Sequence, residues 1–194
     1  MAAKAEKAEK AEKAEKAAKA EKAAKAEKAA KAEKAKQPPT TTEMFPSLHK
    51  NIENALSSEG TTIKPKPWFN RDEGDKARIQ YRETYIMGKF KCHNGNCERN
   101  GWGSKKIFTL IQLFPKSGYN AVVFKQSCRE CKKVGKLSIN EETYIERVTF
   151  WLKRWAGIPM EEEDYEPKYG PPHDEDHCEA CKRGFCQRGQ RFRR

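Results

Sequence analysis

The stretch KKIFTLIQLFPKSGYNAVVFKQSCREC, residues 105–131, holds two runs rich in Ile, Val and Phe on either side of Pro115-Lys116-Ser117-Gly118, and it ends on a Cys-x2-Cys pair. Runs of β-branched and aromatic residues broken by a proline–glycine turn form a hairpin, here Lys105 to Phe114 and Tyr119 to Ser127. Ile107, Ile111 and Leu113 point to one face, and Phe108, Leu110 and Phe114 to the other. A hairpin that is apolar on both faces needs a second layer over at least one of them.

That layer follows in the chain. From Glu141 to Trp155, Tyr144, Val148, Trp151, Leu152 and Trp155 recur at helical spacing and form an apolar stripe. Ser138 with Glu141, or Asn140 alone, caps the start, and Gly157 followed by Pro159 ends the helix. Upstream of the hairpin, Lys89 to Cys92 reads as a short strand. Ser47 to Leu56 reads as a satellite helix, with Leu48, Ile52 and Leu56 on one side. Residues 57–80 read as loop and 158–172 as an acidic, proline-bearing loop. Residues 1–36 contain only Ala, Lys and Glu after Met1. Strong helix formers with Glu-before-Lys pairs and no apolar seam give a solvated helix and no coiled coil. The expected organisation is a charged tail at 1–36, a linker with a short helix at 37–80, a domain at 81–187 and a basic tail at 188–194.

Seven cysteines decide how so small a core is held. Nothing at the N-terminus resembles an apolar secretory segment, so the expected setting is intracellular, cytoplasm or nucleus. Paired cysteines there are metal ligands sooner than disulfides. The longest apolar-rich run, 107–114, falls far short of the ~20 residues a membrane span requires. Cys92 and Cys97 form a C-x4-C pair, Cys128 and Cys131 a C-x2-C pair, and His173, Cys178, Cys181 and Cys186 a third group. Structural zinc takes four tetrahedral ligands. Cys97 lies just before the hairpin and Cys128 just after it, so Cys92, Cys97, Cys128 and Cys131 are assigned to one ion, as in a zinc ribbon. His173, Cys178, Cys181 and Cys186 are assigned to a second. A cross-brace that exchanges ligands between the two zinc ions stays open. The expected fold is α+β: a small zinc-stabilised domain with a ribbon-like sheet and one packed amphipathic helix.

The formal net charge is +12. Such a balance favours anionic partners, nucleic acid first. Lys105, Lys106, Lys125, Arg129, Lys132 and Lys133 gather around the first cysteine pairs, interleaved with Trp102 and Tyr119. Lysines neutralise phosphates and rings stack on unpaired bases, so these eight residues are the candidate RNA contacts. The alternative is a protein-interaction adaptor that uses the acidic run 161–164 or the N-terminal helix. An enzyme is not expected, since all eight metal donors are used. No H-E-x-x-H, G-x-S-x-G or P-loop occurs, and no small-molecule substrate is implied.

Gly-Lys-Phe-Lys-Cys at 88–92, Trp102-Gly-Ser-Lys-Lys, Tyr119-Asn-Ala-Val-Val, Gln126-Ser-Cys-Arg-Glu-Cys, Tyr144-Ile-Glu-Arg-Val and Pro172-His173 before Cys178-Glu-Ala-Cys181 together resemble the 3CxxC-type zinc finger. Residues 43–49 and the C-x4-C spacing of the first pair resemble its fungal members, for which the resemblance implies zinc binding. The same domain occurs in receptor-transporting proteins, which help odorant and taste receptors reach the cell surface and include an antiviral RNA binder. It also occurs in zygote-arrest proteins, which bind messenger RNA. The resemblance therefore implies a zinc fold with either an RNA or a trafficking-adaptor role.

Overall fold

The computed structural model describes residues 40–58, 62–74, 76–159 and 174–186, all within the second of two units, Thr40–Arg194. The Ala/Lys/Glu segment 1–36 expected as a helix, the acidic run 161–164, His173 and the tail 188–194 lie outside the described residues.

Among the described residues, six strands form one sheet: β1 (Thr42–Glu43), β2 (Trp68–Phe69), β3 (Gln80–Lys91), β4 (Gly101–Phe114), β5 (Gly118–Phe124) and β6 (Lys136–Ile139). Their order is β1-β5-β4-β3-β6, with β2 pairing in parallel beside β5 and every other pairing antiparallel. The expected hairpin is β4–β5, its turn tightened by Lys116 and Ser117 at φ 57° and 58°. The short strand expected at 89–92 is the end of a much longer one. β3 runs the length of β4 from Gln80↔Leu113 to Lys91↔Gly101. Its first half is polar and exposed, so no apolar alternation announces it.

Between Ile86↔Ile107 and Gly88↔Ser104, β4 spends three residues against two of β3. This bulge switches the parity of β4, so Trp102 shares a face with Ile107 and Ile111. Gly88 sits at that point because a Cβ would lie 2.8 Å from the Ser138 carbonyl and 2.9 Å from Ile107 Cδ1.

One sheet face is covered by helices and the other in part by a C-terminal segment. On one, Ile86, Phe90, Ile107, Ile111, Tyr119 and Val123 meet two helices, α1 (His49–Ser58) through Leu48, Ile52 and Leu56, and α2 (Glu141–Trp155) through Tyr144, Val148 and Leu152. α2 has the bounds expected, and its cap is Asn140, whose side chain accepts from the Thr143 N–H at 2.8 Å. The helix expected as a satellite belongs to the core, since Ile52 is 1 % exposed. The segment 37–80, expected as a linker with a short satellite helix, thus supplies a core helix and two short strands. On the other face, Phe108, Leu110, Val122 and Phe124 are covered by the C-terminal segment carrying Cys178, Ala180 and Cys186, which includes the one-turn helix α3 (Glu179–Lys182).

Candidate metal centre

The loop joining β3 to β4 and the loop joining β5 to β6 leave the same end of the sheet, and each carries a cysteine pair. In the first, Cys92 directly follows Lys91, its N–H bonded to the Asn100 carbonyl, while Cys97 N–H donates to Asn94. In the second, Cys128 N–H donates to Lys133 and Lys132 N–H donates back to Cys128. This tight turn is closed by Lys132 at φ 60°. The four sulfurs all lie within 4.8 Å of one another. Cys92 and Cys131 Sγ are 3.6 Å apart and Cys97 and Cys128 Sγ 3.8 Å. A tetrahedron of sulfurs ~2.3 Å from zinc has edges of about 3.8 Å, whereas a disulfide is ~2.05 Å. The spacing is that of four thiolates around one ion, and none of the seven cysteines is in a disulfide.

The titration of these thiols points the same way. The Lys133 backbone N–H, working against burial and assisted by Cys92, draws Cys131 down to about 6. For Cys97 the Arg99 backbone N–H acts downward, but burial and the Cys128 and Cys131 sulfurs outweigh it and push the thiol up to about 12. Cys92 behaves alike: the Asn94 backbone acts downward, yet burial and Cys131 leave it raised. Without a cation one sulfur ionises at its neighbours' expense. A divalent ion removes that conflict, so the donor set fits zinc.

The C-terminal cysteines form a second group. Their segment runs along the chain after β5: Gln126 pairs with Cys178, Ser127 N–H donates to His177, and Glu179 N–H donates to Lys125. Gly184 at φ +74° turns the chain back so that Cys186 rejoins the group. Burial, then the Cys178 and Cys186 sulfurs, push the Cys181 thiol far up. Tyr85 Oη lies 3.4 Å from Cys186 Sγ, a contact the sequence did not suggest. His177 has both ring nitrogens engaged, Nδ1 with Asp174 at 2.8 Å and Nε2 with Lys132 Nζ at 3.0 Å.

The expected RNA contacts fare unevenly. Tyr119 cannot stack on a base: it is 0 % exposed, edge-on to Phe69, with its hydroxyl 2.8 Å from His49 Nδ1. Trp102 is half-buried, one ring face stacked on Phe90 at 5.2 Å and its Nε1–H spent on Gln126. Both aromatics belong to the helix-covered core. Lys125 is paired with Glu43 at 3.0 Å, Arg129 with Asp174 at 2.6 Å, and Lys132 donates to His177. Lys133 reaches Asn94, Lys106 is half-buried and Lys105 is exposed.

A ribbon-like sheet whose two end loops close a four-sulfur cage defines a zinc-binding domain. The model of the 3CxxC-type zinc-ribbon family, a zinc-binding domain, matches residues 85–184, more than half of the chain. The chain belongs to this family. Neither a curated protein nor a solved structure gives a significant match. Among the described residues, no helix is long and apolar enough to cross a membrane.

Proposed function

We propose that the chain is a two-zinc binding module, not an enzyme, whose surface takes nucleic acid, RNA first. The observation that carries the zinc assignment is the four-sulfur cage, with edges of 3.6 and 3.8 Å. Cys92, Cys97, Cys128 and Cys131 hold one ion. Cys178, Cys181 and Cys186 hold the other, with His173 as fourth donor on the sequence spacing. Four thiolates close the first tetrahedron, so no coordination position stays open for a substrate, as a catalytic zinc requires. Bound zinc ties together the ends of β3, β4 and β6, which gives a small core the staple it lacks.

The nucleic-acid reading is supported by charge. Residues 1–36 carry twelve Lys and seven Glu, a net +5, which leaves +7 of the total +12 on the rest of the chain. A basic surface on a rigid zinc fold binds phosphates in a salt-dependent way. The test is a binding titration of the full chain against a labelled single-stranded RNA before and after zinc removal by a strong chelator. The expected result is loss of most affinity together with the zinc. Undiminished binding by the metal-free chain would assign it to the charged tail, and no binding at low salt would favour the protein-adaptor role.

A further inference from the structure

The face of the sheet that the C-terminal cysteine segment covers is covered only in part. Beyond Tyr85 and Phe108 it continues, open, onto the ends of β3, β4 and β6. The strand register fixes what stands there. Lys136, Lys91 and Gly101 lie side by side across the three strands, and Ser138, Lys89 and Gly103 form the next row. Directly opposed residues share a face, so these six form a grid, with rows about 7 Å apart and columns about 4.8 Å apart. All six are on the side opposite Phe90, Trp102 and Leu137, which enter the core. Lys89, Lys91, Lys136 and Ser138 are exposed, as are Lys105 and Met87 at the grid's border.

Four features set this patch apart. The strand segments 88–91, 101–106 and Lys136–Ile139 contain five lysines and no Asp or Glu. Among the described residues, Lys89, Lys91, Lys105 and Lys136 take part in none of the ion pairs or side-chain hydrogen bonds that occupy Lys125, Arg129, Lys132 and Lys182. Lys91 and Lys136 stand directly opposite each other, a like-charge pair that weakens the sheet. Folding therefore gives no reason for it, and an anion above the grid does. Finally, the β4 column is glycine: a Cβ on Gly101 would lie 2.6 Å from the Phe90 carbonyl, so packing requires that one, whereas a Cβ on Gly103 would have nothing within 4 Å, so at Gly103 the backbone lies bare.

From this we infer that the open Lys89–Lys91–Lys136 face of β6-β3-β4 is the nucleic-acid site, and that it takes a single strand laid across the sheet. The inference rests on the nucleic-acid reading above and replaces the contact set suggested by sequence. A sheet face has no helix or ribbon to enter a duplex groove, whereas a single strand lies on such a platform with its phosphates over the lysines. A lone exposed Met87 is too little apolar surface for insertion into a membrane. The grid adjoins the metal centre through Lys91 and Cys92, so the cage that fixes the strand ends also fixes the spacing of the lysines.

The test uses the full chain, a labelled oligouridylate and a salt series, with zinc content as the control for folding. The variant Lys89→Gln/Lys91→Gln/Lys136→Gln is expected to lose about tenfold or more in affinity and to flatten the salt slope by about 2, at ~0.7 per phosphate contact. Gly103→Val, whose Cβ would meet nothing within 4 Å, places a side chain on the open face and is expected to weaken binding at a melting temperature no lower than the parent's, since glycine within a strand is itself destabilising. It also serves as the readout should the triple variant lose zinc. Lys132→Ala/Lys133→Ala is expected to bind within about threefold of the parent, since those lysines are not on the grid. If the parent binds the oligouridylate and both the triple variant and Gly103→Val bind equally well, the face is wrong while the nucleic-acid reading stands. If the parent binds no RNA at low salt, that reading fails and takes this one with it. A short duplex competing as well as the single strand, or anionic vesicles held by the grid lysines in place of RNA, would likewise overturn the assignment.

Discussion

Single residues show where chemistry and packing compete for the same amino-acid type. Tyr119 and Trp102 sit among lysines in the sequence and look like stacking rings. What decides otherwise is the cover supplied by α1, whose His49 meets Tyr119 from 70 residues away, and a sequence window around Tyr119 does not contain that fact. The cysteines are the opposite case: their spacing and the hairpin between the pairs assigned Cys92, Cys97, Cys128 and Cys131 to one group, with a cross-brace left open, and these are the four that converge. Cys128 is buried and belongs to the cage, so Cys128→Ser leaves an incomplete tetrahedron. It is expected to cost several kcal/mol, out of the order of 10 kcal/mol a structural zinc can contribute, and to release one ion. His177→Ala removes two polar contacts, to Asp174 and Lys132, each worth on the order of 1–2 kcal/mol, and should leave the zinc content unchanged. Thermal melts with metal analysis of both variants check this. Zinc loss from His177→Ala but not from Cys128→Ser would reverse the assignment.

At the level of elements, legibility follows periodicity. The hairpin and α2 carry unbroken patterns, and the cap at Asn140 completes the helix signal. β1 and β2 are two residues each and exist only because β5 lends them an edge. The first half of β3 is polar, and its pairing is dictated by β4 opposite. α1 was legible as a helix, but its weight was not, because depth of burial depends on the partner face. Ile52→Ala on α1 is therefore expected to destabilise by about 2–5 kcal/mol, as for a deep core site. Asn140→Ala at the cap of α2 should cost only about 1 kcal/mol. Denaturant titrations with the slope unchanged between variants measure both. Near-equal losses would mean that α1 is only peripheral.

For the molecule as a whole, zinc, sheet and surface form one argument. The core is shared between two helices on one face and a cysteine-bearing segment on the other, and the loops that close the first cage hold the strand ends in register. The alternation Lys89-Phe90-Lys91 and Lys136-Leu137-Ser138 was present in the sequence as a signal for a one-sided basic face. It could not be used until the pairing of β3 with both β4 and β6 was known, because only the register turns two alternating segments into one grid. The second cysteine group was legible as spacing alone. The most direct test of the whole account is the zinc content of the purified full chain, counted by native mass spectrometry and by elemental analysis. Two zinc ions per chain, both lost together with the folded state on strong chelation, is the predicted result. One ion per chain, or a fold that survives complete removal of metal, would contradict it.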